Sequence, residues 1–220
     1  ICTGPFRQWT INTWSLQAGW QRDSRNKYFA PTRGTYQRIG AEVALPGSDL
    51  EYYKVAYEFG RYFPLWGEYA LLTKAELGYG DGYGNTSTLP FYQNFYAGGV
   101  RSVRGFEDNT LGPTETASTA SSYRQPLGGA FKTVGGLELI IPTPMTKGDS
   151  DTAQLSAFVD VGNVFRNFDA FDSGELRASA GLSLKWQAPI GPIIINLVRP
   201  IKKQDGDRTE SIQFSFGQQF

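Results

Sequence analysis

Histidine is missing altogether from this 220-residue chain. Its absence excludes Ser-His and Cys-His catalysis and His-ligated zinc. An enzyme built on this sequence would have to work with carboxylates, lysines or tyrosines. Cysteine is nearly missing too: Cys2 stands alone, so no internal disulfide can form. Net charge is zero, 21 basic side chains against 21 acidic ones, which leaves no electrostatic reason to expect a nucleic-acid partner. Nor does any apolar run approach the ~18–20 residues of a spanning helix. The most apolar stretch, Ile190 to Val198, is interrupted by Gly191, Pro192 and Asn196. The chain begins at Ile1 without a signal-peptide pattern and reads as a mature or excised piece.

What the sequence has instead is period-two alternation. Trp14, Leu16, Ala18 and Trp20 alternate with Ser15, Gln17, Gly19 and Gln21. Ile39, Ala41 and Val43 alternate with Arg38, Gly40 and Glu42; Tyr53, Val55, Tyr57 and Phe59 with Lys54, Ala56, Glu58 and Gly60. The pattern recurs over about 68–80, 131–142, 152–163, 175–187, 192–200 and 209–220. The cleanest case sets Leu176, Ala178, Ala180, Leu182, Leu184 and Trp186 against Arg177, Ser179, Gly181, Ser183, Lys185 and Gln187. That makes about nine strands and no amphipathic helix. Strands of roughly 10–13 residues exceed the ~5–6 usual in soluble sheets and match the ~9–11 of a tilted membrane strand.

Such alternation fits a soluble sandwich with an apolar core, or a membrane barrel with lipid outside and a wet lumen within. Three features favour the membrane. The polar face carries charges of both signs, among them Arg38, Glu42, Lys54, Glu58, Lys74, Glu76, Glu138, Asp160, Arg177 and Lys185. Aromatics, 15% of the chain, gather near strand ends, as interfacial girdles require. Short turns at 64–67 and 188–192 alternate with longer loops at about 80–130 and 164–174, although 46–49 is short where a long loop is due. A mean hydropathy of −0.35 does not count against this reading, because alternation averages apolar and polar residues together.

The loop at about 80–130 is the feature the strands serve. Loops beyond ~15 residues without structure of their own are uncommon and usually functional or disordered. This one has a compact centre, Phe95 to Gly112, in which Gly98, Gly99 and Gly105 permit positive φ and Arg101 and Arg104 bracket Val103.

Asn94-Phe95-Tyr96-Ala97-Gly98-Gly99 followed by Ser102-Val103-Arg104-Gly105-Phe106 resembles the signature of the BamA family, the outer-membrane factors that insert other β-barrels. Further matches run in order: Leu45-Pro46-Gly47-Ser48-Asp49 with Glu51-Tyr52-Tyr53-Lys54, Gly78-Tyr79-Gly80-Asp81-Gly82, Leu89-Pro90-Phe91-Tyr92, Pro142-Thr143-Pro144 and Asp205-Gly206-Asp207. The resemblance spans nearly all of 15–220. It implies an all-β, antiparallel transmembrane barrel fragment. Residues 1–220 would be one domain, the C-terminal half of a sixteen-strand barrel, without the periplasmic POTRA domains. The long loop would face outward and fold back into the lumen.

The resemblance also implies site residues. Val103, Arg104, Gly105 and Phe106 form the loop motif, with Arg104 held by Glu138 and Asp160, which alternation puts on inward faces of neighbouring strands. Ile212, Phe214, Phe216 and the terminal Phe220 resemble an outer-membrane β-signal, and Gly217 lies where the last strand can bend away. Strand templating and bilayer disturbance, with no covalent chemistry, would be the mechanism. No catalytic residue, cofactor or metal is expected. The Asp49/Glu51 and Asp205/Asp207 pairs could offer oxygen ligands to calcium, but read better as turns. Implied partners are outer-membrane lipids or detergent, nascent β-barrel proteins and accessory assembly lipoproteins, at the outer membrane of a Gram-negative bacterium. A related translocating barrel, of the translocation assembly module or two-partner secretion type, is the alternative.

A half-barrel sheet would have two bare edges, an aggregation hazard. The expectation is therefore closure as a small barrel of about eight strands, with residues 1–22 left irregular or reaching a neighbour. An edge-to-edge homodimer is the rival outcome.

Overall fold

The computed structural model describes residues 11–116, 124–142 and 152–217. Four strands come first: β1 (Ser15–Asp23), β2 (Gly34–Ala44), β3 (Tyr52–Pro64) and β4 (Ala70–Gly82). The long connection that follows holds a 3-10 turn at Phe91–Gln93 and a small hairpin, β5 (Thr114–Thr116) with β6 (Arg124–Pro126). Then come β7 (Phe131–Ile141), β8 (Ala153–Phe165), β9 (Arg177–Ala188), β10 (Gly191–Lys202) and β11 (Ile212–Phe216). Nine of these strands form one antiparallel sheet in the order β1-β2-β3-β4-β7-β8-β9-β10-β11.

The register carries one alternation through the whole sheet. Gln21 faces Arg38, Arg38 faces Glu58, Gly60 faces Lys74, Lys74 faces Gly136, and Gly136 faces Asp160. Asp160 faces Ser179, and further along Ser183 faces Asn196 and Asn196 faces Gln213. Because side chains alternate across a strand, this register collects the polar residues on one face and the apolar ones on the other. The burial is inverted relative to a soluble protein. Leu137, Leu182 and Leu197 are 52%, 47% and 53% exposed, whereas Glu138 and Asp160 are 2% and 0% exposed. A continuous apolar surface of this kind marks contact with lipid.

Aromatic rings mark both ends of that surface. Trp66 and Tyr69 meet as a tilted pair, 5.4 Å between centroids, on the turn between β3 and β4. At the loop end, Phe131, Phe165, Phe168 and Phe171 meet at 5.1–6.1 Å between centroids, with Tyr79 against Phe168 at 6.4 Å.

Two expectations change. Residues 15–22 are not irregular: they form β1 in unbroken register with β2, as the alternation from Trp14 onward dictates. The last strand is shorter than the span 209–220, because the chain bends at Ser211 and residues 208–210 bond to the loop instead of extending β11. Among the described residues no ladder joins β11 to β1. Phe220 and residues 1–10 lie outside the described residues.

Candidate functional site: the loop on the inner face

The loop folds back against the inner face of the sheet. Two short bridges shape it, Phe95 with Gly129 and Ala97 with Leu111. Gly98, Gly99 and Gly105 take φ of +102°, +98° and +86°, the left-handed conformation open to glycine. Ala97, Val103, Phe106 and Leu111 form a small core with inward Val134 of β7 and Val164 of β8. Val103 and Phe106 are fully buried there. Burial of such side chains contributes about 1.5–3 kcal/mol each to docking the loop.

Gly105 is required by proximity as well as by φ. A Cβ at this position would lie 2.6 Å from Cγ1 of Val198 on β10. The loop backbone therefore rests directly on the sheet.

Beside that core lies a buried charge cluster. The Arg104 guanidinium donates through Nε to Asp160 Oδ2 at 2.6 Å, through Nη2 to Asp160 Oδ1 at 2.9 Å, and through Nη1 to Glu138 Oε2 at 2.9 Å. Its backbone N–H also donates to Asp160 Oδ2, at 3.3 Å. Its planar head lies over the Phe158 ring, 3.3 Å from the centroid. Each carboxylate has a second cation: Lys74 is 3.1 Å from Asp160 Oδ1, and Lys185 is 3.0 Å from Glu138 Oε1. Ser156 Oγ donates to the same Glu138 oxygen at 2.7 Å. Burying charges is costly unless they are paired and hydrogen-bonded, and here β4, β7, β8 and β9 each supply a partner.

The last strand holds the loop in a different way. Gln213 of β11 accepts from the Gly105 N–H at 3.0 Å and donates through Nε2 to the Phe106 carbonyl at 2.8 Å. A further ion pair, Arg177 to Asp207 at 3.0 Å, ties the connection between β10 and β11 to β9.

The structure thus gathers Val103, Arg104, Gly105, Phe106, Glu138 and Asp160 in one place. Ile212, Phe214 and Phe216 point the other way, outward and exposed. Gly217 ends β11 with φ +72° and donates its N–H to the Pro192 carbonyl at 2.9 Å. Sequence reasoning placed Lys74 and Lys185 on the polar face without assigning them to the cluster, and it missed Gln213. Their signal was phase: each is a polar residue at an inward position of its strand. The acidic pairs considered as calcium ligands hold turns. Glu51 accepts from the backbone N–H groups of Gly47 and Asn85 at 2.9 and 3.0 Å, Asp49 from that of Asn12 at 2.6 Å, and Asp207 pairs with Arg177. Among the described residues no cluster suits a metal ion.

A model of the Omp85 superfamily domain matches residues 7–220. The chain is similar to the outer membrane protein assembly factor BamA of Neisseria meningitidis serogroup B, 34% identical over 99% of this chain and 30% of that protein. It is also similar to the sorting and assembly machinery component 50 homolog of Mus musculus, 28% identical over 90% of this chain and 44% of that protein. Among solved structures it resembles BamA from Haemophilus ducreyi lacking POTRA domains 1-3, with a TM-score of 0.82 and 35% identity over 91% of this chain and 41% of that one. The chain spans less than half the length of each of these relatives.

Proposed function

The chain belongs to the Omp85 superfamily, and on that premise we propose that it is part of an outer-membrane barrel that folds and inserts other β-barrel proteins in a Gram-negative bacterium. One observation carries the reading: a glycine-hinged loop is pinned by a buried Arg104–Glu138–Asp160 cluster to the inner face of a sheet of long strands whose other face is apolar and whose last strand is β11. A strand edge with unpaired N–H and C=O groups recruits an incoming strand by β-augmentation. The loop braces that edge from the lumen side through Gln213, while Ile212, Phe214 and Phe216 face lipid. Substrates are unfolded β-barrel proteins, and accessory assembly lipoproteins act beside the complete protein. The work is templating and local disturbance of the bilayer, with no bond made or broken in a substrate.

The test is folding of an unfolded small barrel protein into liposomes, followed by heat-modifiable gel mobility, with and without the complete protein in the bilayer. Acceleration that is reduced by Asp160→Ala supports the reading. Equal rates with and without the protein overturn it.

A further inference from the structure

Two arginines stand on the apolar face of the sheet, near the end away from the long loop. Arg22 of β1 faces Gln37 of β2, and Thr35 of β2 faces Arg61 of β3. One step further toward the middle of the sheet, the same face carries the row Trp20, Ile39 and Tyr57. Along β3, Arg61 stands between Phe59 and Phe63 in the outward phase. Both arginines are exposed. An arginine in a lipid-facing row is costly unless its head reaches the interface and meets an anion there.

The protein supplies no such anion. Arg22, Arg61, Ser24, Thr35 and Gln37 line one cavity of about 260 Å³, and no carboxylate lines it. Asp23 belongs to the opposite face, in register with Tyr36, and is already held by Arg25 Nη2 at 2.6 Å. Among the described residues neither Arg22 nor Arg61 has an acidic partner.

The cavity is also shaped for an anion. The Arg61 guanidinium lies over the Phe63 ring, 4.7 Å from its centroid, which keeps the head on this face. Gln37 Oε1 accepts from the Tyr57 hydroxyl at 3.4 Å, so its amide N–H groups are left for the cavity. Ser24 Oγ donates to the Thr35 carbonyl at 3.0 Å and accepts from the Thr35 N–H at 3.2 Å, which fixes the rim. The walls come from three consecutive strands, with β2 laddered on both sides.

We propose that Arg22 and Arg61 grip the headgroup of one anionic phospholipid, of the phosphatidylglycerol class. Its phosphate lies between the two guanidiniums, and its acyl chains run along Trp20, Ile39 and Tyr57. Arginine meets phosphate oxygens through paired, charge-assisted hydrogen bonds. A zwitterionic headgroup would bring an ammonium beside two guanidiniums and is disfavoured. The lipid fixes the depth of β1–β3, because its phosphate stays at the headgroup level. The inference needs only that the apolar face meets lipid, and it is independent of the assembly reading.

Native mass spectrometry of the complete protein in neutral detergent, with dioleoyl phosphatidylglycerol or dioleoyl phosphatidylcholine added, tests it. The parent retains one phosphatidylglycerol at concentrations where phosphatidylcholine is lost. Equal retention of the two lipids overturns the proposal without any variant. Arg22→Gln and Arg61→Gln each weaken phosphatidylglycerol binding roughly tenfold, as loss of one charge-assisted hydrogen bond implies. Arg199, exposed on the same face and facing Ala180, lies toward the other end of the sheet. Arg199→Gln leaves the binding unchanged. Weakening by Arg199→Gln to the same extent would reduce the effect to general attraction and overturn the site, as would unchanged binding in Arg22→Gln and Arg61→Gln. Heat-modifiable mobility of each variant shows that its barrel has folded.

Discussion

The inner faces of β1–β2 and of β7–β9 carry the same kind of side chain: Gln17, Gln21, Arg38 and Glu42 on one, Glu138, Asp160, Ser179 and Ser183 on the other. Every residue of β1 is exposed, while the second group is buried. Pleat, ladder and alternation are the same in both. The difference is the loop, which covers β7–β11 and leaves β1 uncovered. A polar inner face is therefore only a permission. It becomes a site where a loop with the right shape removes the water and each charge finds a partner.

Removing that pairing gives the largest expected effect. Asp160→Ala takes away three hydrogen-bond acceptances from Arg104 and the carboxylate partner of Lys74. Breaking a buried pair costs about 3–5 kcal/mol. The loop should undock while the strands persist, seen as faster tryptic cleavage at Arg101 and Arg104 with unchanged β-sheet circular dichroism. Uniform cleavage rates would count against the cluster as the anchor.

Glycine substitutions sharpen the contrast between the two faces. A Cβ at Gly136 would meet Lys74 Cε at 2.5 Å and Asp160 Oδ1 at 2.6 Å. Gly136→Ala should cost about 1–3 kcal/mol by overpacking the cluster. Gly40 is an inner-face glycine too, yet nothing lies within 4 Å of its added Cβ. Gly40→Ala should stay within about 0.5 kcal/mol of the parent. Thermal unfolding of the two variants side by side reads the difference, and equal shifts would remove it.

Gln213→Ala leaves the Gly105 N–H and the Phe106 carbonyl without their side-chain partner. The expected cost to loop docking is about 1–3 kcal/mol, smaller than for Asp160→Ala and read by the same cleavage assay.

The smallest effect concerns pH and lies outside the spanning strands. Hydrogen bonds from the backbone amides of Gly47 and then Asn85 hold the Glu51 carboxyl below its usual value. A lowered value means that this stabilisation is complete above the ordinary carboxylate range and fades as pH falls through it toward the lowered value. Corrected for the intrinsic exchange rate at each pH, the protection of the Gly47 and Asn85 amides should fall on acidification, with the step lost in Glu51→Gln. An unchanged step in the variant would assign it to another group.

Much of this was legible because a period of two is a local property. Residues such as Leu176 to Gln187 declare a strand and both of its faces without reference to the rest of the chain, and the ladders follow the phases read from the sequence. The positive φ of Gly98, Gly99 and Gly105 was equally legible, since few other residues adopt it. The roles of Lys74, Lys185 and Gln213 were not. Each is one polar residue among several in the correct phase, and only register decides which of them lies beside Arg104.

The sequence by itself determined that this chain is a run of long two-faced strands, polar on one face and apolar on the other, and that a Gly-Arg motif interrupts it. Alternation and φ preference are short-range physics and need no partner. Only the tertiary structure decided that the motif lies on the inner face, that Asp160 and Glu138 share Arg104 with two lysines, and that residues 208–210 leave the sheet to pair with the loop. Those outcomes depend on contacts between residues as much as 108 positions apart in sequence, such as Gly105 and Gln213. Such contacts arise only once the register of all nine strands has been set.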